Sequence, residues 1–151
     1  MKILHTTADV FTLPTTPSEG VIVTTNGIIR NDGNAVMGRG IALTADKKFH
    51  LAKKLGKQLK EYGNHVFDMG VYNNFHVITF PTKVHWRDDS PLWLIEQSCK
   101  ELALLADNLH LTTVYCVPPG CANGHLDWET QVKPVCQRLL DDRFIMVFRT
   151  K

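Results

Sequence analysis

The segment Ile78–Trp86 reads ITFPTKVHW, in which an apolar run is followed at once by a lysine, a histidine and a tryptophan. We expect Pro81 to end a strand, so that Lys83, His85 and Trp86 emerge at the edge of a sheet. A lysine beside a bound phosphate can supply a counter-charge, and as a neutral amine it can act as a nucleophile. Spacing alone leaves a simpler interpretation open, in which Lys83 is an ordinary exposed lysine and His85 is structural.

Two glycine-containing loops have the composition of phosphate-binding turns. The first spans residues 26–42 and places Gly38 and Gly40 just before a helix, and the second spans residues 118–128 (PPGCANGHLDW), with a helix beginning near Asp127. Glycines there let backbone N–H groups approach a ligand, and a helix N-terminus favours an anion. Either loop alone could be a simple strand-to-helix turn, but at neighbouring strand ends the two could hold a diphosphate between them.

Strand-like and helix-like segments alternate along the chain and indicate how the three loops are positioned. This alternation predicts an α/β fold with three layers, in which helices cover both faces of a mixed, mostly parallel sheet. In such sheets ligands bind at the carboxyl ends of the strands, which is where the three loops fall. The expected order is β-β-α-β-β-α-β-α-β, with strands near 2–7, 21–25, 66–72, 75–80, 112–117 and 144–148.

Three helices are expected between these strands. The first spans residues 40–63, and the second begins at Ser90-Pro91, a capping residue followed by a proline. Asp127 caps the third, in which Pro134 marks a kink or the start of the regular part. The first helix carries six lysines that could guide a nucleic acid or could form a solvated face: Lys47, Lys48, Lys53, Lys54, Lys57 and Lys60.

The composition is that of an ordinary globular protein. The chain has 151 residues, 44% of them hydrophobic and 21% charged, which predicts one domain spanning residues 1–151. A net charge of +2 is too small to indicate an anionic partner such as a nucleic acid by itself. The four cysteines have no zinc-binding spacing and no signal peptide precedes them, so we expect a cytoplasmic protein with reduced thiols, without metal or cofactor. No apolar run suggests membrane insertion, and a monomer is the expected state.

Three motifs, in order, resemble those of the macrodomain family, the ADP-ribose-binding α/β module. AVMGRGIALTADKKF resembles the first ligand loop of one branch, which reads roughly V-M-G-x-G-I-A before a helix. PTKVHW resembles the P-T-K-x-H-W segment of the DarG-type antitoxins, which strip ADP-ribose from thymidine bases in DNA. GCANGHLDWE resembles the second phosphate loop of those antitoxins and of the human terminal ADP-ribose glycohydrolase. The resemblance covers nearly the whole chain and implies a three-layer macrodomain of the small kind that also occurs in phages.

The resemblance also implies which residues form an ADP-ribose site. Lys83 matches the catalytic lysine of that branch, Asp9 matches an aspartate that contacts the adenine amine, and Asn26 matches an asparagine facing the distal ribose. His85 and Trp86 would lie at the rim of the site. The two loops would contribute Val36, Met37, Gly38, Gly40 and Ile41, and Gly120, Cys121, Ala122, Asn123 and Gly124.

Two departures from related enzymes narrow the mechanism. Gly124 stands where the human glycohydrolase has an aspartate that resolves its lysine adduct. The triple-glycine loop of the di-aspartate type of macrodomain hydrolase is absent. The missing triple-glycine loop argues against the di-aspartate mechanism, and Gly124 makes the site more similar to the DNA-directed antitoxins than to the human enzyme.

These observations lead to an ADP-ribosyl hydrolase as the first hypothesis. Lys83 could attack the opened distal ribose and form a Schiff-base-type adduct, or it could act as acid or base on the leaving group. The conjugate could be an ADP-ribosylated DNA base or an ADP-ribosylated glutamate, and Trp86 could stack on a single-stranded base or simply pack at the rim. The alternatives are a module that binds ADP-ribose or another nucleotide without chemistry, and a phosphatase acting on ADP-ribose 1″-phosphate.

Overall fold

The computed structural model describes residues 1–151 as six strands and four helices. The strands are β1 (Lys2–Thr6), β2 (Glu19–Asn26), β3 (Phe67–Tyr72), β4 (Phe75–Lys83), β5 (Thr113–Cys116) and β6 (Phe144–Arg149). The helices are α1 (Gly40–Phe49), α2 (Ala52–Tyr62), α3 (Leu92–Asn108) and α4 (Lys133–Leu139). None of the helices is both long enough and apolar enough to span a bilayer.

The strands form one sheet in the order β1-β6-β5-β2-β4-β3, and only the β3–β4 pair is antiparallel. Side chains alternate along the buried strand β2, so that Val21 and Val23 face one side of the sheet and Ile22 faces the other. Helices α1 and α2 cover the first face, and α3 and α4 cover the second. The predicted three-layer α/β fold with a mostly parallel sheet is confirmed.

The predicted helix 40–63 is wrong, because two helices occupy this region. His50 adopts a left-handed conformation, with φ of 56°, and ends α1. The side chain of Asp46 then accepts a hydrogen bond from Ala52 N at 2.9 Å, which stabilises the turn into α2. The break lets the next helix fold back on the first ligand loop, where Ala35 N donates to Ala52 O at 2.8 Å.

The prediction that Pro81 ends the fourth strand is also wrong. β4 continues to Lys83, and Pro81 pairs with Thr25 of β2. A proline is tolerated here because β3 pairs with β4 only as far as Thr79, so no bond to β3 is lost at Pro81. The register then shifts, and Lys83 pairs with Asn26. Lys83 is therefore the last residue of a central strand rather than part of the loop that follows it.

Ser90 does not cap α3 as predicted. The helix begins at Leu92, Pro91 occupies the N-cap position, and no side chain caps this end. The backbone N–H of Ser90 instead donates a hydrogen bond to Gly124 O at 3.0 Å, in the second loop.

The capping role predicted for Asp127 is confirmed. Its Oδ2 accepts from Thr130 N at 2.8 Å, and hydrogen bonds from the side chain and backbone of Thr130 lower the pKa of this carboxyl. A π-helical turn, Trp128–Val132, follows, in which Val132 N donates to Asp127 O at 3.2 Å. Pro134 lies in the first turn of α4, so it marks the start of the regular helix as predicted.

Candidate functional site

A cavity of about 680 Å³ opens at the carboxyl ends of β2, β4 and β5. This volume is typical of a site for a small organic ligand. All three predicted loops contribute to its wall, because the carboxyl ends of parallel strands meet at one edge of the sheet. The predicted site residues that line it are Asn26, Val36, Gly38, Gly40, Ile41, Lys83, Trp86, Gly120, Cys121, Ala122, Asn123 and Gly124.

The amine of Lys83 lies in the cavity wall and is held by backbone carbonyl groups. Its Nζ donates to Asn123 O at 2.9 Å and to Trp86 O at 3.4 Å, which connects the end of β4 to the second loop. Lys83 belongs to none of the ion pairs in the structure, and Asp89 pairs with His125 at 2.7 Å. The amine is thus available to a ligand without competition from a protein carboxylate.

Asn26, the last residue of β2, stabilises the first loop through two hydrogen bonds of its side chain. Its Oδ1 accepts from Ile28 N at 3.0 Å and its Nδ2 donates to Val36 O at 3.1 Å. One side chain therefore holds the backbone of the loop at both Ile28 and Val36. Gly40 opens α1 with φ of 56°, a conformation that favours glycine.

The second loop packs so closely against α3 that it requires glycine. A Cβ at Gly120 would lie 2.6 Å from Ile95 Cδ1, and φ at this residue is 76°. A Cβ at Gly124 would meet Ser90 Oγ and would lie 2.5 Å from Gly120 O. These contacts set the position of the Asn123 carbonyl, which accepts the hydrogen bond from Lys83.

Cys121 lines the cavity but has the properties of a packing residue. Burial raises the pKa of its thiol to about 11, and Cys136 and Asp127 add to the shift. At neutral pH the side chain is therefore a thiol rather than the thiolate that a nucleophile requires.

Three predicted site residues do not line the cavity. Asp9 Oδ1 accepts from Phe11 N at 3.0 Å and caps the short 3-10 turn Val10–Thr12. Met37 is 3% exposed and packs in the core between the sheet and α1. His85 Nδ1 accepts from Arg87 N at 3.1 Å. Each side chain is used within the fold, so the ligand roles of these three residues stay predictions.

Arg39 was missed by the sequence reasoning, although it stands between Gly38 and Gly40. It lines the cavity, is exposed, and makes no side-chain hydrogen bond or ion pair. The signal was present, since an arginine in a loop at the ligand edge of the sheet is a natural contact for a phosphate group of a nucleic acid.

An aromatic pair forms another part of the wall and was also missed. Trp128 and Phe148 line the cavity, with ring centroids 5.2 Å apart in an edge-to-face arrangement. Trp128 directly follows the cap residue Asp127, and Phe148 lies near the carboxyl end of β6. Their rings give the cavity an apolar surface suited to a flat heterocycle.

Trp86 forms the outer rim beside Lys83. Its side chain is 44% exposed, and the guanidinium of Arg87 lies 4.9 Å from its ring centroid. None of the six lysines of α1 and α2 lines the cavity. Two of them have structural contacts, since Lys54 Nζ donates to Met69 O at 2.6 Å and Lys48 lies over the ring of Phe11.

Comparison with known proteins gives two curated relatives and a solved structure of similar size. The DNA ADP-ribosyl glycohydrolase of Mycobacterium tuberculosis is 34% identical over 101 residues, which are 62% of this chain and 29% of that protein. The DNA ADP-ribosyl glycohydrolase of Thermus aquaticus is 29% identical over 132 residues, which are 83% of this chain and 35% of that protein. The structure of the macrodomain of Mycobacterium tuberculosis DarG superimposes with a TM-score of 0.74 at 28% identity and 96% coverage of both chains.

No protein-family model matches the chain. The chain spans about a third of the length of the two curated relatives and nearly all of the solved macrodomain.

Proposed function

Because this chain belongs to the macrodomain family, we propose that it is an ADP-ribosyl hydrolase that removes ADP-ribose from DNA bases, with Lys83 as its catalytic residue. The observation that carries the proposal is the position of the Lys83 amine, which lies in the cavity wall between two glycine loops. The names of the two curated relatives support the choice of a DNA conjugate as substrate.

The cavity offers a suitable surface for each part of ADP-ribose. Trp128 and Phe148 supply the apolar surface for the adenine. The backbone N–H groups of the two loops, around Gly38 and Gly120, would bind the diphosphate. This arrangement directs the distal ribose, and the base attached to it, towards Lys83.

The reaction breaks the bond between C1″ of the distal ribose and a nitrogen of the base. Water supplies the hydroxyl group that C1″ gains and the proton that the base gains. Lys83 could take part as a neutral amine by attacking C1″ of the opened sugar; the bond from C1″ to the base then breaks, the base leaves with a proton lost by the amine, and water hydrolyses the resulting imine to free the lysine and ADP-ribose. It could instead donate the proton to the departing base. With glycine at position 124, the second loop offers no carboxylate there to assist either route.

A release assay on three substrates tests the proposed activity. The wild-type chain should release ADP-ribose from an ADP-ribosylated single-stranded oligonucleotide faster than from an ADP-ribosylated glutamate peptide. Tight ADP-ribose binding by calorimetry with no release from either conjugate would identify a binding module instead. Phosphate release from ADP-ribose 1″-phosphate alone would identify a phosphatase.

Arg39 offers a test of how the DNA part of the substrate is recognised. Its unpaired guanidinium stands at the cavity wall, where it can contact a phosphate that flanks the modified nucleotide. We expect Arg39→Ala to weaken binding of the ADP-ribosylated oligonucleotide by about tenfold and to reduce its salt slope by about one. The affinity for free ADP-ribose should change much less, as measured by calorimetry.

Lys57→Ala is the matched control, because it removes an exposed positive charge from α2, away from the cavity. It should leave both affinities unchanged. An equal loss in the two variants would indicate general electrostatic attraction by the lysine-rich helices and would contradict a local contact by Arg39.

Three further expectations accompany this proposal. A monomer, a single macrodomain spanning residues 1–151 and a cytoplasmic location all stay predictions. All four cysteines are free, which is compatible with a reducing compartment.

A further inference from the structure

Lys83 is hydrogen-bonded both at its amine and at its backbone carbonyl, and the residue that bonds the carbonyl, Asn64, lies outside the cavity. While Nζ donates to the carbonyl of Asn123, the carbonyl oxygen of Lys83 accepts from Asn64 Nδ2 at 3.0 Å. Asn64 lies between α2 and β3 and is not part of the cavity wall. It therefore contacts the backbone of the lysine without lining the cavity itself.

The backbone around Lys83 is irregular, which explains why it needs a side chain to hold it. Thr25 pairs with Pro81 and Asn26 pairs with Lys83, so Thr82 is left without a partner across β2. A bulge of this kind changes the direction of the side chains that follow it. The Asn64 amide bonds the Lys83 carbonyl directly after the irregularity and so fixes the new direction.

Asn64 is partly exposed but packs closely against Gly27. A Cβ on Gly27 would lie 3.0 Å from both Cγ and Nδ2 of Asn64, and Gly27 N donates to Val84 O at 3.1 Å. The side chain is thus packed between the strand ends that carry Asn26 and Lys83.

One polar atom of Asn64 is used and the other is not. Its Oδ1 is buried and has no hydrogen-bond donor among the protein atoms, whereas Nδ2 is bonded to Lys83 O. A buried acceptor without a partner is unfavourable, so an apolar residue of the same shape would satisfy packing better. The presence of an amide points to a role for the Nδ2 donor rather than for packing.

We propose that Asn64 is a positioning residue for Lys83, which orients the amine for the reaction by fixing the backbone at the bulge. This inference rests on the proposed function of Lys83. The hydrogen bonds at the two ends of Lys83 act together, because the amine reaches Asn123 O only while the backbone keeps its direction.

The first test separates positioning from packing by means of two variants that keep the γ-branched outline of asparagine. Asn64→Asp keeps size and shape and places an acceptor against the Lys83 carbonyl, and Asn64→Leu keeps the branching in a larger, apolar side chain and removes the donor. Both should lower kcat by about 10- to 100-fold, because small misplacement of a reacting group is costly, while KM stays within about twofold. Thermal unfolding is measured on both variants, and we expect each to remain folded at the assay temperature, so that the loss of kcat reports on the missing donor rather than on unfolding.

The second test measures the reactivity of the Lys83 amine directly and does not depend on enzymatic turnover. In competitive labelling with acetic anhydride, the rate of Lys83 acetylation is measured by mass spectrometry relative to the exposed Lys57 and Lys60 of the same molecule. In Asn64→Leu and Asn64→Asp, the Lys83 amine should be released from Asn123 O and should react several-fold faster. Asn108→Ala, an exposed change at the far end of α3, should match the wild type in both tests.

The outcomes distinguish this inference from the proposed function. Unchanged Lys83 labelling in both Asn64 variants, or wild-type kcat in a folded Asn64→Leu, overturns the positioning role. If the wild type releases ADP-ribose from no conjugate, the labelling still decides whether Asn64 positions Lys83.

Discussion

Replacing Lys83 with alanine is expected to lower the release of ADP-ribose from modified DNA by at least about 100-fold, the usual contribution of a group that transfers protons in the reaction. The affinity for free ADP-ribose should stay within about threefold of the wild type, because backbone hydrogen bonds that do not involve the lysine also hold the second loop in place. Ser90 N donates to Gly124 O at 3.0 Å and Leu126 N donates to Gly120 O at 2.9 Å. Single-turnover release and calorimetry on the same preparation measure the two quantities.

Lys83→Arg is the matched variant for the chemistry of the amine. Arginine keeps the positive charge and the donors but does not become a neutral nucleophile at neutral pH. A role in forming or breaking the bond to C1″ predicts that both variants are inactive. Wild-type turnover in Lys83→Ala would contradict the proposed mechanism. Wild-type turnover in Lys83→Arg would show that the lysine contributes only its positive charge.

Gly124→Ala is expected to reduce ADP-ribose affinity by more than about tenfold and to destabilise the fold by about 1–3 kcal/mol, the usual effect of overpacking. The added Cβ would meet Ser90 Oγ and would lie 2.5 Å from Gly120 O and 2.8 Å from Gly120 Cα. Two of these atoms belong to the backbone and cannot rotate away, so the second loop must shift. The shift would also move the Asn123 carbonyl away from the Lys83 amine. Calorimetry and thermal unfolding measure both effects.

Ser90→Ala provides the control for this crowding. It removes an Oγ that is buried without a partner but keeps the backbone N–H that bonds Gly124. Its melting temperature should equal or exceed that of the wild type. Wild-type affinity in Gly124→Ala would show that the loop tolerates a side chain. The crowding also explains why a carboxylate cannot be placed at this position to assist the lysine.

The parts of the fold that could be predicted are those encoded by local patterns. The β-branched run at Val21–Val23 indicates a strand buried on both faces, and the glycines before α1 and after β5 indicate loops at its ligand edge. Asp127 was identified as a cap because a helix N-terminus needs an acceptor within a few residues. From such signals the three loops could be assigned to one edge of the sheet.

The parts that could not be predicted depend on contacts between distant segments. Pro81 continues the strand because β3 ends its pairing at Thr79, which no local pattern reveals. His50 breaks the long helix without a proline or glycine beside it, and the contact of the second helix with the first ligand loop forms between segments that are distant in sequence. Ser90 makes a backbone hydrogen bond to Gly124, far along the chain, and Pro91 rather than Ser90 takes the N-cap position of α3.

The residues of the candidate site also fall into two groups, those recognisable from a contiguous motif and those that depend on contacts between distant segments. Lys83 and the loop glycines belong to contiguous motifs and were identified from the sequence. Asn64 acts on Lys83 across 19 positions, and its amide is recognisable only from the folded contact. Phe148 reaches the cavity wall from the last strand, where an aromatic residue is otherwise expected to pack in the core.

The π-helical turn at Trp128–Val132 makes one wall of the cavity sensitive to the number of residues as well as to their identity. Its Asp127–Val132 hydrogen bond encloses one residue more than an α-helical bond would. Deleting a single residue here would restore a regular helix and turn Trp128 by about 100° relative to α4. Insertions and deletions in this turn would therefore alter the aromatic surface even if every side chain around the cavity were kept.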